Sequence, residues 1–293
     1  MEGVMIRGPG GAAVAVRSAD GAIVVDGWPA PAPALAMPWR LPVLRGLAAL
    51  ADGLVWGTRA LLYSAERAAG MPGPEAGGAP GGSGLGWSVA VSLTFAIGLF
   101  VVLPAAVAGW VRPFLPSAFA AGLFEGVLRL ALLTGYVAVL GALPEVGRML
   151  QFHGAEHKAI AALEAGLPLD VGAAARCSRF HPRCGTSFLL FVLLLCSILY
   201  SLLGWQAFWV RIGLRVALFP LLAGVGFEFL RASAGPASGW RRIGAAPGLW
   251  LQRFTTREPE ASHLEVALAA LRRALALRAP GDGRAPPPAV PVP

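Results

Sequence analysis

Four apolar runs decide what this chain can fold into. Residues 87–111, 119–143, 187–204 and 208–230 are long and poor in charge. A helix needs about 20 such residues, at about 1.5 Å rise each, to cross a bilayer. Backbone inside hydrocarbon must satisfy its own hydrogen bonds, so runs of this kind are helices. Composition agrees: the chain is 56% hydrophobic and 14% charged, with a mean hydropathy of +0.64. That is too apolar for an ordinary soluble domain. The expected fold class is an α-helical polytopic membrane protein. It has about four transmembrane helices, amphipathic interfacial helices and a small N-terminal β-hairpin unit.

The positive charges are unevenly placed. Six arginines precede the first run, five Lys and Arg residues lie in 144–186, and nine follow residue 230. Few lie near the opposite face, Arg112 and Arg211 among them. Lys and Arg concentrate on the cytoplasmic side of membrane proteins. The expected topology therefore puts both termini and the loop 144–186 in the cytoplasm. The net charge of +8 suits the anionic inner leaflet of the lipid bilayer. No basic run is interleaved with aromatics, so nucleic acid is not an expected partner. No cleavable signal peptide is expected, because the first long apolar run starts near Trp87. Three cysteines, in a reducing compartment, argue for metal ligation or burial over disulfides.

Five segments follow from the pattern. Residues 1–40 form a small β unit, in which 12–17 and 22–26 pair as a hairpin around Asp20-Gly21 and 3–7 adds a third strand. Residues 28–38 are a proline-rich connector. Residues 41–86 hold an amphipathic helix and a Gly/Pro linker from about 71. Arg45, Asp52, Arg59 and Glu66 recur on the polar side of that helix, which lies either on the membrane surface or against the hairpin. Residues 87–230 are the membrane domain. Within its central loop, Pro144 opens a helix to about residue 165, with Gly166 as the residue after its cap. Asp170 caps a short second helix, and Thr186 or Ser187 caps the third membrane helix. Residues 231–279 hold an interfacial turn at 248–254 and a last amphipathic helix opened by a Ser262–Glu265 capping box. The tail 280–293 is expected to be disordered.

The chemistry concentrates in the central loop. His153 and His157 stand four residues apart, which puts both imidazoles on one helix face. Glu156 lies about 60° round the helix from His153. The string H-x-x-E-H is the inverted form of a zinc-protease motif. His181 and Cys184 form a His-x-x-Cys knuckle. Together, His153, His157, His181 and Cys184 would fill a tetrahedral zinc shell, which is structural. With one of them outside, a fourth position opens and Glu156 becomes a general base. The pattern leaves both options open. Two surface histidines on an amphipathic helix would make the same spacing. Glu164 shares their face but lies about 10 Å beyond His157 along the axis, so it ranks lower. Cys177 reads as a free thiol, with pairing to Cys184 as the alternative. Cys196 reads as packing and His263 as an exposed helix-start residue. Glu125 and Arg129 read as an i,i+4 pair near the outer interface. Glu228 faces either Arg231 or the histidines.

These strings together resemble the YqhQ-type bacterial membrane proteins, a group labelled predicted metal-dependent enzymes. The resemblance rests on residues 2–9, 63–65, Phe152-His153-Gly154-Ala155-Glu156-His157-Lys158, 179–188, 247–253 and 255–259, and so runs over most of the chain. It implies a bacterial inner-membrane location and metal-dependent chemistry at the cytoplasmic face, most simply hydrolysis. The competing expectation is a membrane scaffold whose same residues hold a structural zinc. Cys177 and His263 fall outside the family's pattern, which lowers both as ligands. Family members begin a few residues earlier, so a start upstream of Met1 is expected. A transporter is disfavoured by few mid-membrane polar groups and no inverted repeat.

Overall fold

A computed structural model describes residues 2–8, 10–18, 20–29, 41–68, 83–182, 184–233 and 239–277. The connector expected at 28–38 starts later than that, because Trp28 and Pro29 end a strand that pairs through Trp28 with Ala12. The rest of it, most of the linker at 71–86 and the tail at 280–293 lie outside the described residues.

The N-terminal unit is a three-stranded antiparallel sheet of β1 (Gly3–Gly8), β2 (Gly11–Arg17) and β3 (Ile23–Pro29) in the order β1-β2-β3. Alternation along the strands makes two apolar faces. Val4, Ile6, Ala13 and Ala15 face one way and pack on α10 (Ala261–Ala276) and α5 (Pro144–Glu164). Ala12, Val14, Val16 and Trp28 face the other way, onto Trp56, Ala60 and Tyr63 of α1 (Leu44–Ala68). β2 therefore lacks a solvent face, which its run of alanine and valine permits.

Helix α1 also reaches the membrane helices. Gly46 and Gly224 let it lie close against α8 (Phe208–Ser233), where Arg45 Nε donates to Glu228 Oε1 at 2.6 Å. The partner of Glu228 is thus Arg45, not the histidine cluster. The helix packs on the sheet as well as on the bundle.

Among the described residues, four helical stretches, Ala90–Phe114, Ala118–Ala142, Gly185–Leu202 and Phe208–Ala232, have the length and composition to span a membrane. The chain is a membrane protein. The first stretch is composite: α2 (Ser83–Ile97), a π-helical turn (Gly98–Val102), α3 (Leu103–Val111) and a 3₁₀ turn (Arg112–Phe114). Pro104 has no N–H to give the carbonyl of Phe100, four residues earlier, so the helix widens there. α4 (Ala118–Ala142) and α7 (Gly185–Leu202) pack through small residues on both sides. A Cβ on Gly122 would lie 2.6 Å from Ser201 Cα, and one on Gly126 would lie 2.5 Å from Ser197 Cβ.

The central loop begins as expected. Leu143 is extended before Pro144, and α5 ends in a Schellman motif around Gly166, whose φ is +65°. Asp170 caps α6 (Val171–Ala175). Cys184, rather than Thr186 or Ser187, is the N-cap of α7. The interfacial turn at 248–254 is the end of a longer helix, α9 (Gly239–Thr255). The last helix opens at Glu260, not Ser262. His263 is buried, not exposed: Glu260 N–H donates to its Nδ1 at 3.3 Å and its ring meets Phe152 edge-on at 4.6 Å. Burial holds its pKa below the ordinary histidine value.

Candidate metal centre

Helix α5 carries His153 and His157 with ring centroids 4.5 Å apart. Cys184 arrives from the loop that leads into α7, and its Sγ lies 3.3 Å from His153 Nε2. One ligand atom from each of His153, His157 and Cys184 lies within 4.8 Å of the others. Among the described residues this is the group with spacing suited to one ion.

Both histidines are held in a defined tautomer. His153 Nδ1 is 2.7 Å from the Thr255 carbonyl, and His157 Nδ1 is 2.6 Å from the Arg179 carbonyl. A carbonyl only accepts, so each Nδ1 carries a proton, which leaves Nε2 as the atom each ring can offer to a metal once that atom gives up any proton of its own. Metal-binding histidines commonly have this second hydrogen bond. The donor set, two imidazole nitrogens and one sulfur, suits zinc.

A buried amide side chain fastens the loop bearing Cys184 to α9. Gln252, fully buried, donates from Nε2 to the His181 carbonyl at 2.7 Å and accepts from His181 N–H at 2.8 Å. The same Nε2 reaches Ser187 Oγ at 2.9 Å. On the other side, the segment between α9 and α10 crosses α5. Arg257 N–H donates to Leu150 O at 2.9 Å, and Gly154 is tight against the Arg257 carbonyl, so a side chain at 154 has no room. Lys158, one residue past His157, pairs with Glu258 of that segment at 2.5 Å. Arg179 bonds both the carbonyl and the hydroxyl of Thr256.

His181 lies beside the group. Its ring centroid is 5.8 Å from that of His157, and its Nε2 is 3.2 Å from Glu164 Oε2. The knuckle therefore splits: Cys184 stands among the three convergent donors, while His181 meets Glu164. Cys177 is apart, with its Sγ toward the Ala173 carbonyl at 3.5 Å. Cys196 packs in the membrane cluster with Phe188 and Val192.

The electrostatics couple Cys184 to the two histidines. Burial acts to raise the Cys184 thiol, but the facing imidazoles of His153 and His157 outweigh it and bring its pKa to about 5. Burial acts to lower His153, but Cys184 and Glu156, with the Thr255 carbonyl, push it up to about 9. Burial raises the Glu156 carboxyl, and the two histidines only partly offset this. Glu156 makes no hydrogen bond or ion pair to a described residue. Together with His153 it lines a cavity of about 290 Å³ between the sheet, α1 and α5, whose other walls are largely apolar.

Spans, sheet and His/Cys group define a polytopic membrane protein with a compact polar-side unit packed on its helices. The chain belongs to the family described as "Protein of unknown function (DUF1385)", which matches residues 41–277. It is similar to the protein named "Uncharacterized protein YqhQ" of Bacillus subtilis (strain 168), at 34% identity over 95% of this chain and 91% of that one. No solved structure matches.

Proposed function

We propose that this protein is a metal-dependent enzyme of the membrane surface, most simply a hydrolase, in which His153, His157 and Cys184 hold zinc. The observation that carries the reading is the convergence of these three donors with both Nδ1 atoms already committed to carbonyls. Three protein ligands with an open fourth position is the pattern of catalytic zinc, whereas structural sites are closed. When bound, such an ion supplies Lewis acidity to a substrate oxygen. Glu156 is the proton acceptor: its carboxyl lacks a hydrogen-bonding partner among the described residues and borders the cavity with His153. The apolar walls of that cavity favour a substrate with a hydrocarbon part.

The proximity of His181 to His157 keeps one alternative in play, a closed shell of four in a non-catalytic scaffold. Bound zinc per chain, measured on detergent-purified protein, separates the two. His157→Ala and Cys184→Ser should lose the metal, while His181→Ala should keep it with affinity within about tenfold. Loss from His181→Ala as complete as from Cys184→Ser would support the scaffold. Wild-type protein that takes up no zinc would end both readings.

The same proposal places the His/Cys side in the cytoplasm of a bacterial inner membrane. All Lys and Arg residues except Arg112, Arg129, Arg211 and Arg215 lie in residues 1–86, 144–186 and 231–293. A C-terminal fluorescent-protein fusion should be bright and a C-terminal alkaline-phosphatase fusion inactive. The reverse pattern would overturn the orientation.

A further inference from the structure

The four cations outside that distribution gather at the end of the bundle away from the histidines. Glu125 of α4 is 1% exposed and serves two guanidiniums. Arg129 Nη2 reaches its Oε1 at 2.7 Å, and Arg215 Nη2 reaches its Oε2 at 2.6 Å. Arg129 Nε also donates to the Phe100 carbonyl at 2.7 Å, the group that Pro104 leaves without a helical partner. Arg211, one turn before Arg215 on α8, is 5% exposed. It lies over the Trp205 ring at 3.8 Å and gives one Nη2 bond to the Ala105 carbonyl at 3.2 Å. Its Nε and Nη1 have no partner among the described residues.

Charge does not balance here. Among the described residues, Arg129, Arg211 and Arg215 are buried with one carboxylate, and the other acidic residue in the spans, Glu228, pairs with Arg45 at the opposite end. Buried cations without a counterion are costly in a bilayer. Arg211 and Arg215 line a narrow cleft with Tyr200, Trp205 and Gln206. Its interior of about 10 Å³ accepts one water-sized atom, not a whole oxyanion. Around this end, Trp110, Phe114, Phe119 and Trp209 are exposed, the belt that marks headgroup level.

We propose that this cleft receives a phosphate oxygen of an anionic phospholipid headgroup, with Arg211 as the principal donor and the lipid as the missing counterion. The guanidinium fork suits phosphate, and a headgroup presents one oxygen inward while the rest of the lipid stays in the bilayer.

The test uses the full chain in detergent with phosphatidylglycerol, phosphatidylcholine and inorganic phosphate as probes. Native mass spectrometry should show phosphatidylglycerol retained about tenfold more tightly than phosphatidylcholine, and Arg211→Met should remove about that factor. Arg211→Lys, which keeps charge but not the fork, should fall between. Equal retention of the two lipids by the wild type, or unchanged retention in Arg211→Met, overturns the proposal. Inorganic phosphate that displaces phosphatidylglycerol at millimolar concentration overturns the lipid as the source. Should Arg211→Met fail to fold, the wild-type lipid comparison and Arg211→Lys decide.

Discussion

Glu156→Gln should bind zinc as the wild type does, melt at no lower temperature, and fail to complement a deletion strain. The amide keeps the size of the side chain but cannot take a proton. Removing a general base typically costs about 10²–10⁴ in rate. Little structure should be lost, because Glu156 has no hydrogen bond or ion pair to a described residue. The replacement also removes a carboxylate that burial disfavours, and whose pKa burial raises. A raised carboxyl is better suited to accept a proton near neutral pH than an ordinary one. A role in orienting a ligand predicts something different, a weakening of metal affinity by about 10–100-fold. Zinc content and complementation, measured together, separate these outcomes. Full zinc with full complementation would sink the catalytic role of Glu156.

Much of this site could be read from residue spacing, and the part that could not has a physical cause. His153 and His157 share a face because helical periodicity requires it, and Pro144 and Gly166 mark the ends of the helix that carries them. Cys184 was accessible as one end of a His-x-x-Cys knuckle. That the knuckle divides, with His181 toward Glu164, depends on how Gln252 pins the loop. Gln252 is separated from His181 by 71 residues and has no local signature. The carbonyls of Thr255 and Arg179 that orient the imidazoles are backbone atoms, and residue type does not disclose them. Arg179, Gln252, Thr255 and Arg257 were visible only as members of the strings shared with the family.

His263 shows a different failure of local reading. A histidine next to a helix start looks solvent-facing, yet α10 is buried on most of its circumference between the sheet and α5. The spans themselves were legible because an uninterrupted apolar run has few alternatives. Their polar contacts were less so. Glu125 and Arg129, four residues apart, read as a simple pair near an interface. Arg215, 90 residues away, makes it a buried triad.

That triad should be the most sensitive point of the membrane domain. Glu125→Gln is expected to destabilise the protein by about 3–5 kcal/mol, since it strands Arg129 and Arg215 as buried like charges. The loss should exceed that of exposed pairs such as Arg148–Glu2, whose side chains are 52% and 36% exposed. Such pairs contribute about 0–1 kcal/mol. Replacing all three residues, Glu125→Leu with Arg129→Leu and Arg215→Leu, should recover much of the deficit, because no buried charge remains unpaired. Arg129 would still leave the Phe100 carbonyl without its donor, so recovery should stop short of the wild type. The measurement is reversible unfolding of the detergent-solubilised chain for the single and triple variants. A Glu125→Gln protein within about 1 kcal/mol of wild type would mean that water or lipid already neutralises the arginines, and that the carboxylate is not their principal counterion.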